Sequence, residues 1–301
     1  MIKQSSKQLL VVMVMLLFYS LAIAGPVPGK EVKRDRQTVS TGLLTEVGNW
    51  GYGKVTCSSV ENNNLYVASG RVLEALDKTQ LPDPPVLGKI TLDGKIKAME
   101  VRNNFVYVII DYKGLRVIDM TNPSTPVQAG VFSVNTSVRD LKIDGTVLYL
   151  VSSMKVMAID ITNPAAPVLN WEYEDHYDFN APVHVSGSYL FVGDSSRLKI
   201  LDISNIANIQ QITDKDMYGQ VTGIAQRDTF LYITTRSGMR VVNISNPAVP
   251  AFAADYPGNT SEMLDIVIDG SRAFMAHSNG VEMLDITVPG ATPIKTAGYW
   301  V

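Results

Sequence analysis

The amino-acid sequence predicts an all-β fold made of six copies of one unit, and three observations carry this prediction. Aromatic residues return at steps of 41 or 42 residues, at Tyr66, Tyr107, Tyr149, Phe191, Tyr232 and Phe274. Acidic or amide residues keep the same interval, at Asp77, Asp119, Asp160, Asp202, Asn243 and Asp285. Turn residues interrupt short β-branched runs throughout, and no segment beyond the N-terminus keeps the period of a helix. A helical repeat, the rival for this period, is therefore disfavoured.

The copy at residues 137–178 shows what one unit encodes. An alternating segment ends at the turn pair Asp144-Gly145, and the apolar run at 147–151 has the length of a buried strand. A third strand follows at 155–161, and a fourth opens at 167–171 after a proline, which is tolerated at the first residue of a strand. Four short strands in one repeat are typical of a β-propeller blade, so we expect six blades, with a seven-bladed ring as the second possibility.

Both repeated columns are predicted to be structural. The Asp or Asn residue precedes a turn such as Thr121-Asn122-Pro123, where a short polar side chain can bond the backbone two residues further on. A site rarely needs six copies of one residue, so a catalytic role for this column is disfavoured. The aromatic column falls on the apolar second strand and is expected to form the core between blades.

Three third-strand segments carry a resemblance to a known family: Leu115-Arg116-Val117-Ile118-Asp119, Met157-Ala158-Ile159-Asp160 and Leu198-Lys199-Ile200-Leu201-Asp202. With their Thr/Ser-Asn turns, they resemble the LVIVD repeat of bacterial and archaeal surface propellers, over about residues 52–301. The resemblance implies a β-propeller outside the cytoplasm and brings no common catalytic signature. The first copy departs from the pattern, as does the fourth, where Ile206 replaces the proline.

The N-terminus predicts export. Lys3 and Lys7 precede a short apolar run, and Ala22-Ile23-Ala24 offers a cleavage site, so residues 1–24 read as a signal peptide, with an uncleaved anchor as the alternative. Residues 25–41 read as a flexible leader, and residues 42–301 as the propeller. Residues 43–50 resemble a surplus fourth strand that caps an outer edge or takes part in ring closure. We expect a periplasmic, cell-surface or extracellular protein with no membrane span after cleavage.

Composition and missing motifs exclude several functions. The formal net charge of −3 and the exported location disfavour nucleic acid as a partner. Cys57 is the only cysteine, so no internal disulfide can form. This thiol is expected to be packed at the central channel, in a column with Ala98, Asp140, Pro182, Gly223 and Asp265. Because nucleophile, Walker and haem motifs are missing, no cofactor, no catalytic residue and no metal site are predicted.

Recognition is expected on one face of the ring. The turns between the second and third strands, and the connections from each fourth strand to the next blade, share a face that we call the loop face. A recognition role is weighed against ordinary rim residues. An acidic cluster at 172–178 reads as a solvated loop rather than a Ca²⁺ site, and His184 as a structural histidine. The predicted binding residues are Trp50, Tyr52, Asp111, Tyr112, His176, Tyr177, Asp178, Tyr218, Arg236, Tyr256 and His277.

Three functions remain open at the level of sequence. The first is an exported binding or scaffold module for a protein or glycan partner at the cell envelope or surface. The second is a propeller enzyme, a hydrolase or lyase, with carboxylates and histidine at the funnel mouth, drawn from Asp111, Asp175, His176, Asp178 and His277. The third is a structural unit of an envelope or fibre assembly.

Overall fold

The computed structural model describes residues 55–81, 84–174, 181–258 and 262–300, and these residues form 24 β-strands. In chain order the strands are β1 (Val55–Glu61), β2 (Asn64–Ser69), β3 (Val72–Asp77), β4 (Val86–Thr91), β5 (Ile96–Arg102), β6 (Phe105–Ile110), β7 (Gly114–Asp119), β8 (Val127–Phe132), β9 (Val138–Asp144), β10 (Val147–Ser152), β11 (Lys155–Asp160), β12 (Val168–Glu174), β13 (Val183–Ser186), β14 (Tyr189–Asp194), β15 (Arg197–Asp202), β16 (Gln210–Asp216), β17 (Val221–Arg227), β18 (Phe230–Thr235), β19 (Gly238–Asn243), β20 (Ala251–Pro257), β21 (Met263–Asp269), β22 (Arg272–His277), β23 (Gly280–Asp285) and β24 (Ile294–Trp300). A single 3-10 turn at Lys78–Gln80 is the only helix in these ranges, which confirms the all-β prediction. The predicted signal peptide, the leader and the surplus strand at 43–50 lie outside the described residues.

The strands form six sheets of four, and each sheet is built from consecutive antiparallel strands. The first sheet has the order β1-β2-β3-β4, and the last has the order β21-β22-β23-β24. First strands of successive sheets touch along the chain, from β1 against β5 to β17 against β21. Each sheet is therefore one blade of a ring, with its first strand at the centre and its fourth at the rim. The prediction of a six-bladed β-propeller is confirmed.

The aromatic column forms the core between blades, as predicted. All six rings are buried, with Tyr66, Phe191 and Tyr232 fully so. Each ring before the sixth packs against the next blade in the chain; Phe191 of the fourth blade, for example, lies in one apolar cluster with Ile224 and Ile233 of the fifth. Removing such large surfaces from water is the main term that holds neighbouring blades together.

The polar column shapes the turn after each third strand, which confirms its structural role. Every member accepts a hydrogen bond from the backbone N–H two residues on; Asp160, for example, accepts from Thr162 at 2.7 Å. The same geometry recurs at Asp77, Asp119, Asp202, Asn243 and Asp285. Six copies of one local bond therefore hold six equivalent turns.

The outer strands lean on the following blade. A register shift interrupts the pairing of the third and fourth strands in every blade, as between Val117 and Ile118 opposite β8. Such bulges increase the local twist. In the first two blades a glycine of the fourth strand, Gly88 or Gly130, then lies directly on the backbone of the next blade at Pro123 or Pro164. No side chain fits between these backbones.

Candidate functional site

The turns and connections that define the loop face lie together at one end of the propeller. In an antiparallel meander, the turn between the second and third strands lies at the same end as the connection that leaves the fourth. Backbone hydrogen bonds join the two: the N–H of Leu92 donates to the carbonyl of Arg71 at 2.8 Å, and the N–H of Met217 donates to the carbonyl of Ser196 at 2.6 Å. In these two blades the turn and the connection are thus paired at this end of the ring.

Five of the predicted binding residues lie outside the described residues: Trp50, Tyr52, His176, Tyr177 and Asp178. Their place on the loop face stays a prediction. The other six lie on turns, connections or the strand ends beside them, and they differ in exposure and in partners.

Tyr112 and Tyr218 are the most exposed of the described tyrosines on the loop face. They are 67% and 69% exposed, and both backbones are left-handed, with φ of 57° and 55°. That conformation is unusual for a bulky residue and costs roughly 1 kcal/mol or more. The N–H of Tyr218 donates to the Asp216 carboxylate at 2.7 Å, and its ring packs at a tilt against Phe252 of the next blade, with 5.8 Å between centroids. The two tyrosines are thus held outward by local structure.

Asp111 and Arg236 are engaged in ion pairs on the loop face. Asp111 lies 2.9 Å from the ammonium of Lys97 and accepts a hydrogen bond from the hydroxyl of Ser137 at 3.2 Å. Arg236 lies 2.8 Å from the carboxylate of Glu262, and both side chains are largely exposed. Exposed pairs of this kind add little stability and remain open to exchange with a partner's charges.

His277 and Tyr256 turn inward instead. His277 is only 2% exposed, and its Nδ1 accepts a hydrogen bond from the N–H of Asn279 at 3.2 Å. Tyr256 is half-buried and donates to the buried carboxylate of Glu282 at 3.1 Å. Burial lowers the pKa of the His277 imidazole, and burial followed by the Glu282 charge raises the pKa of Tyr256. His277 therefore lies at the end of β22, beside the loop-face turn, with its ring buried in the sixth blade.

The first strands of all six blades line a central cavity of about 790 Å³. Cys57, Ala98, Asp140, Pro182 and Asp265 all lie in its wall, which confirms the predicted channel column at these positions. Cys57 is buried, and burial raises the pKa of its thiol, so it stays protonated. A packed, protonated thiol is a poor nucleophile.

The channel also holds charged groups with perturbed protonation. Burial raises the pKa of Asp140 and of Asp265 to about 6, while the ammonium of Lys142 opposes both shifts. Asp140 accepts from the N–H of Val183 at 3.0 Å, which ties the third blade to the fourth. Lys142 is itself 3.3 Å from the carboxylate of Glu100.

His184 lies in the same wall. Its Nε2 is 3.3 Å from the amide oxygen of Gln226 in the next blade. Burial lowers the pKa of this imidazole to about 4, and Lys142 adds to the effect. The ring is therefore neutral at pH 7, as expected of a structural histidine. Across the described ranges, His, Cys, Asp and Glu form no group of three able to hold a metal ion.

Sequence reasoning missed a set of buried charges on the third strands. Arg116 is 2.9 Å from Asp93, and Lys199 is 2.8 Å from Asp194 with both side chains nearly buried. Glu282 occupies the equivalent position and pairs with Lys295 at 2.7 Å. The signal was present in the sequence, because each charge interrupts an apolar strand where a surface residue is not expected. The Arg116 pair links the third strand of the second blade to the connection that enters this blade, and the other two pairs each lie within a single blade.

The fold and the channel define a β-propeller with no assembled catalytic group on the described part of its loop face. A protein-family model described as the LVIVD repeat matches residues 93–136, 135–175, 181–212 and 218–257. The chain therefore belongs to the LVIVD-repeat family. A propeller of such repeats is consistent with a binding or scaffold module.

Solved structures show the same fold at low sequence identity. A functionally unknown protein from Desulfotomaculum acetoxidans is 13% identical, with a TM-score of 0.69 over 83% of this chain and 87% of that one. The computationally designed Ika8 protein is 14% identical, with a TM-score of 0.64 over 87% and 88%. A chain of a mitotic checkpoint complex is 13% identical, with a TM-score of 0.63 over 74% and 73%. No curated protein matches the sequence.

Within the part of the chain that the structure describes, no helix is long and apolar enough to cross a bilayer.

Proposed function

We propose that the chain is an exported binding or scaffold propeller that presents its loop face to a protein or glycan partner at the cell envelope or surface. One observation carries the proposal: Tyr112 and Tyr218 are held outward on the loop face with left-handed backbones. Exposed tyrosines offer large contact area and a hydroxyl at low entropic cost, which suits recognition of proteins and sugars.

The ion pairs on the loop face support the same reading. The pairs of Lys97 with Asp111 and of Arg236 with Glu262 add charges of both signs to the loop face. A rim of exposed charges around aromatic contacts is typical of protein interfaces and sets the rate and specificity of association.

The test is capture by the mature chain as bait, from envelope extracts of cells that make it and on a glycan array. The double variant Tyr112→Ser, Tyr218→Ser should weaken capture about tenfold or more, because tyrosines that a partner buries on binding are common hot spots. The control is the Val249→Ser, Val288→Ser double variant, which changes exposed residues in turns at the opposite end of the ring. Capture that no variant weakens, or no capture above background, contradicts the proposal.

Export has its own test. The N-terminal pattern supports cleavage between Ala24 and Gly25, so the intact mass of the secreted or periplasmic product should correspond to a chain that begins at Gly25. A cell-associated product that retains residues 1–24 contradicts the proposed location.

A second candidate function is an enzyme, and one observation favours it. Asp140 and Asp265 lie in the same channel, and the pKa of each is raised to about 6, which is where a general acid near neutral pH is expected. A panel of chromogenic esters and glycosides tests it: turnover should fall away above pH 6 and vanish in Asp140→Asn and Asp265→Asn. Turnover that survives both substitutions, or none in the unaltered chain, rules this candidate out.

A further inference from the structure

Positive charge is concentrated at one corner of the loop face. Three segments meet there: the turn of the first blade at residues 69–71, the chain entering the second blade at 92–97, and the turn of the second blade with the start of its third strand at 111–116. The N–H of Ile96 donates to the carbonyl of Gly70 at 2.8 Å, and that of Asp111 to the carbonyl of Lys95 at 3.4 Å, which joins the three segments. We call them the basic corner. Their charged residues are Arg71, Lys95, Lys97, Lys113 and Arg116, against Asp93 and Asp111.

The two carboxylates of the basic corner are already engaged. Asp93 lies 3.1 Å from the ammonium of Lys113 and 2.9 Å from the guanidinium of Arg116. Asp111 lies 2.9 Å from the ammonium of Lys97, and both of these side chains are about one third exposed. The basic corner therefore keeps an excess of positive charge after its own pairs have formed, in a chain whose formal net charge is −3.

The excess comes from cations without a carboxylate partner. Arg71 and Lys95 are exposed, and neither makes an ion pair with a residue that the structure describes. The guanidinium of Arg71 donates to a backbone carbonyl of the basic corner at 2.9 Å. Arg139 of the third blade stands beside Lys97, because both donate to the hydroxyl of Ser137, at 3.3 and 3.1 Å.

The equivalent corner of the sixth blade has the opposite balance. Its described segments carry one cation, Arg236, and two carboxylates, Glu262 and Glu282. Arg236 is paired with Glu262 at 2.8 Å, and Glu282 is paired with Lys295 of the outer strand at 2.7 Å. Positive charge thus distinguishes the basic corner from another corner of the same loop face.

An exposed aromatic ring lies within the basic corner. Tyr112 is 67% exposed and stands between Asp111 and Lys113 in the turn, with a left-handed backbone. A sugar ring can place its apolar C–H face on such a phenol ring while a carboxylate on the same sugar reaches a neighbouring ammonium group. The basic corner offers both contacts on one surface.

The spread of the cations favours a polymer over a single small anion. They come from segments of two blades and lie on an open surface, where one exposed ion pair contributes little. A chain with a carboxylate on every unit can contact several of these cations at once and gains from the repeated contacts. Rigid sugar rings also lose less conformational freedom on binding than an acidic peptide of the same charge.

We propose that the basic corner binds an anionic polysaccharide made of uronic acids, with carboxylates on Lys95, Lys97 and Lys113 and one sugar ring against Tyr112. This inference rests on the proposed recognition role of the loop face and names the class of partner. The negative charge of the rest of the chain repels such a polymer from other surfaces, so binding is confined to this corner and weakens with salt.

The test uses calorimetry on the mature chain at neutral pH and low salt, with hexamers of galacturonate and of mannuronate as probes. At least one hexamer should bind, and its methyl ester, which lacks the charge, should bind at least about tenfold more weakly. Raising the salt concentration to about 0.2 M should weaken the acid hexamer several-fold.

Two charge reversals and one truncation locate the site. Lys95→Glu should weaken the bound hexamer about tenfold, whereas Arg272→Glu, at an exposed turn on the opposite end of the ring, should change its affinity less than about twofold. Tyr112→Ser should weaken it at least about threefold. Because Lys95 and Arg272 are both exposed, both variants should keep the melting temperature of the unaltered chain.

Four results overturn the proposal: no binding of either hexamer, equal binding of the methyl ester, equal effects of the two charge reversals, or binding of hexaglutamate as tight as that of the sugars. The last result would assign the basic corner to acidic peptides. Envelope capture that the double tyrosine variant weakens, with no binding of either hexamer, overturns this inference alone and leaves the recognition role of the loop face in place.

Discussion

Replacing Asp265 by asparagine tests whether the channel holds its carboxyl groups away from water. The pKa of Asp265 rises from an ordinary value of 3.8 to about 6, chiefly through burial. A carboxyl whose pKa is raised by folding adds stability below its unfolded pKa, and this stability is lost as pH rises through the folded pKa. Proton linkage between pKa values of 3.8 and about 6 gives a loss of about 2 kcal/mol between about pH 4.5 and 7.5.

Asparagine does not titrate, and its amide oxygen can still accept from the N–H of Ile266. As pH rises from about 4.5 to 7.5, the unfolding free energy of the Asp265→Asn variant should therefore increase by about 2 kcal/mol relative to that of the unaltered chain. Urea denaturation followed by far-ultraviolet circular dichroism at both pH values measures the difference. The control is Asp285→Asn, at an exposed turn where hydrogen bonds from Thr287 lower the carboxyl pKa. This group titrates below the pH range of the experiment, so its stability difference should stay nearly constant across that range. A stability difference for Asp265→Asn that does not change with pH refutes the reasoning.

Three further substitutions test the framework. Phe191→Ala should cost about 3–5 kcal/mol of unfolding free energy by urea denaturation, because the ring is fully buried. Phe252→Ala, at a ring that is 39% exposed, should cost clearly less, and equal costs would contradict the core assignment. Asp194→Ala removes the carboxylate that pairs with the nearly buried Lys199 and should cost about 3 kcal/mol of unfolding free energy. Asp214→Ala, in the exposed pair with Arg197 of the same blade, should cost under about 1 kcal/mol. Similar costs for both variants would count against a buried pair. Asp160→Ala removes one turn bond and should lower stability by about 1 kcal/mol, and a gain would be inconsistent with the turn geometry.

Repetition explains why so much of the fold was predictable. A period of 41 or 42 residues places Tyr66 and its five equivalents on the same strand of every blade, so one reading of one unit applies six times. The turn bond of Asp160 involves residues only two positions apart, and local bonds of this kind follow directly from sequence. Blade number and both columns were therefore open to prediction.

Features that depend on side-chain direction or on contacts between strands could not be predicted from the sequence. His277 follows the expected strand, yet its ring is buried beside Glu282 of the neighbouring strand, which no local pattern indicates. The pairing of Lys199 with Asp194 needs the hairpin register before the buried charge makes sense.

The most direct test of the account is amide hydrogen exchange on the mature chain with and without the partner captured by it. The account predicts slower exchange on binding at residues 111–113 and 217–220, on the loop face near Tyr112 and Tyr218, with little change at the opposite end of the ring. Protection confined to the turns at residues 121–125 and 246–250, which lie at that opposite end, would contradict it.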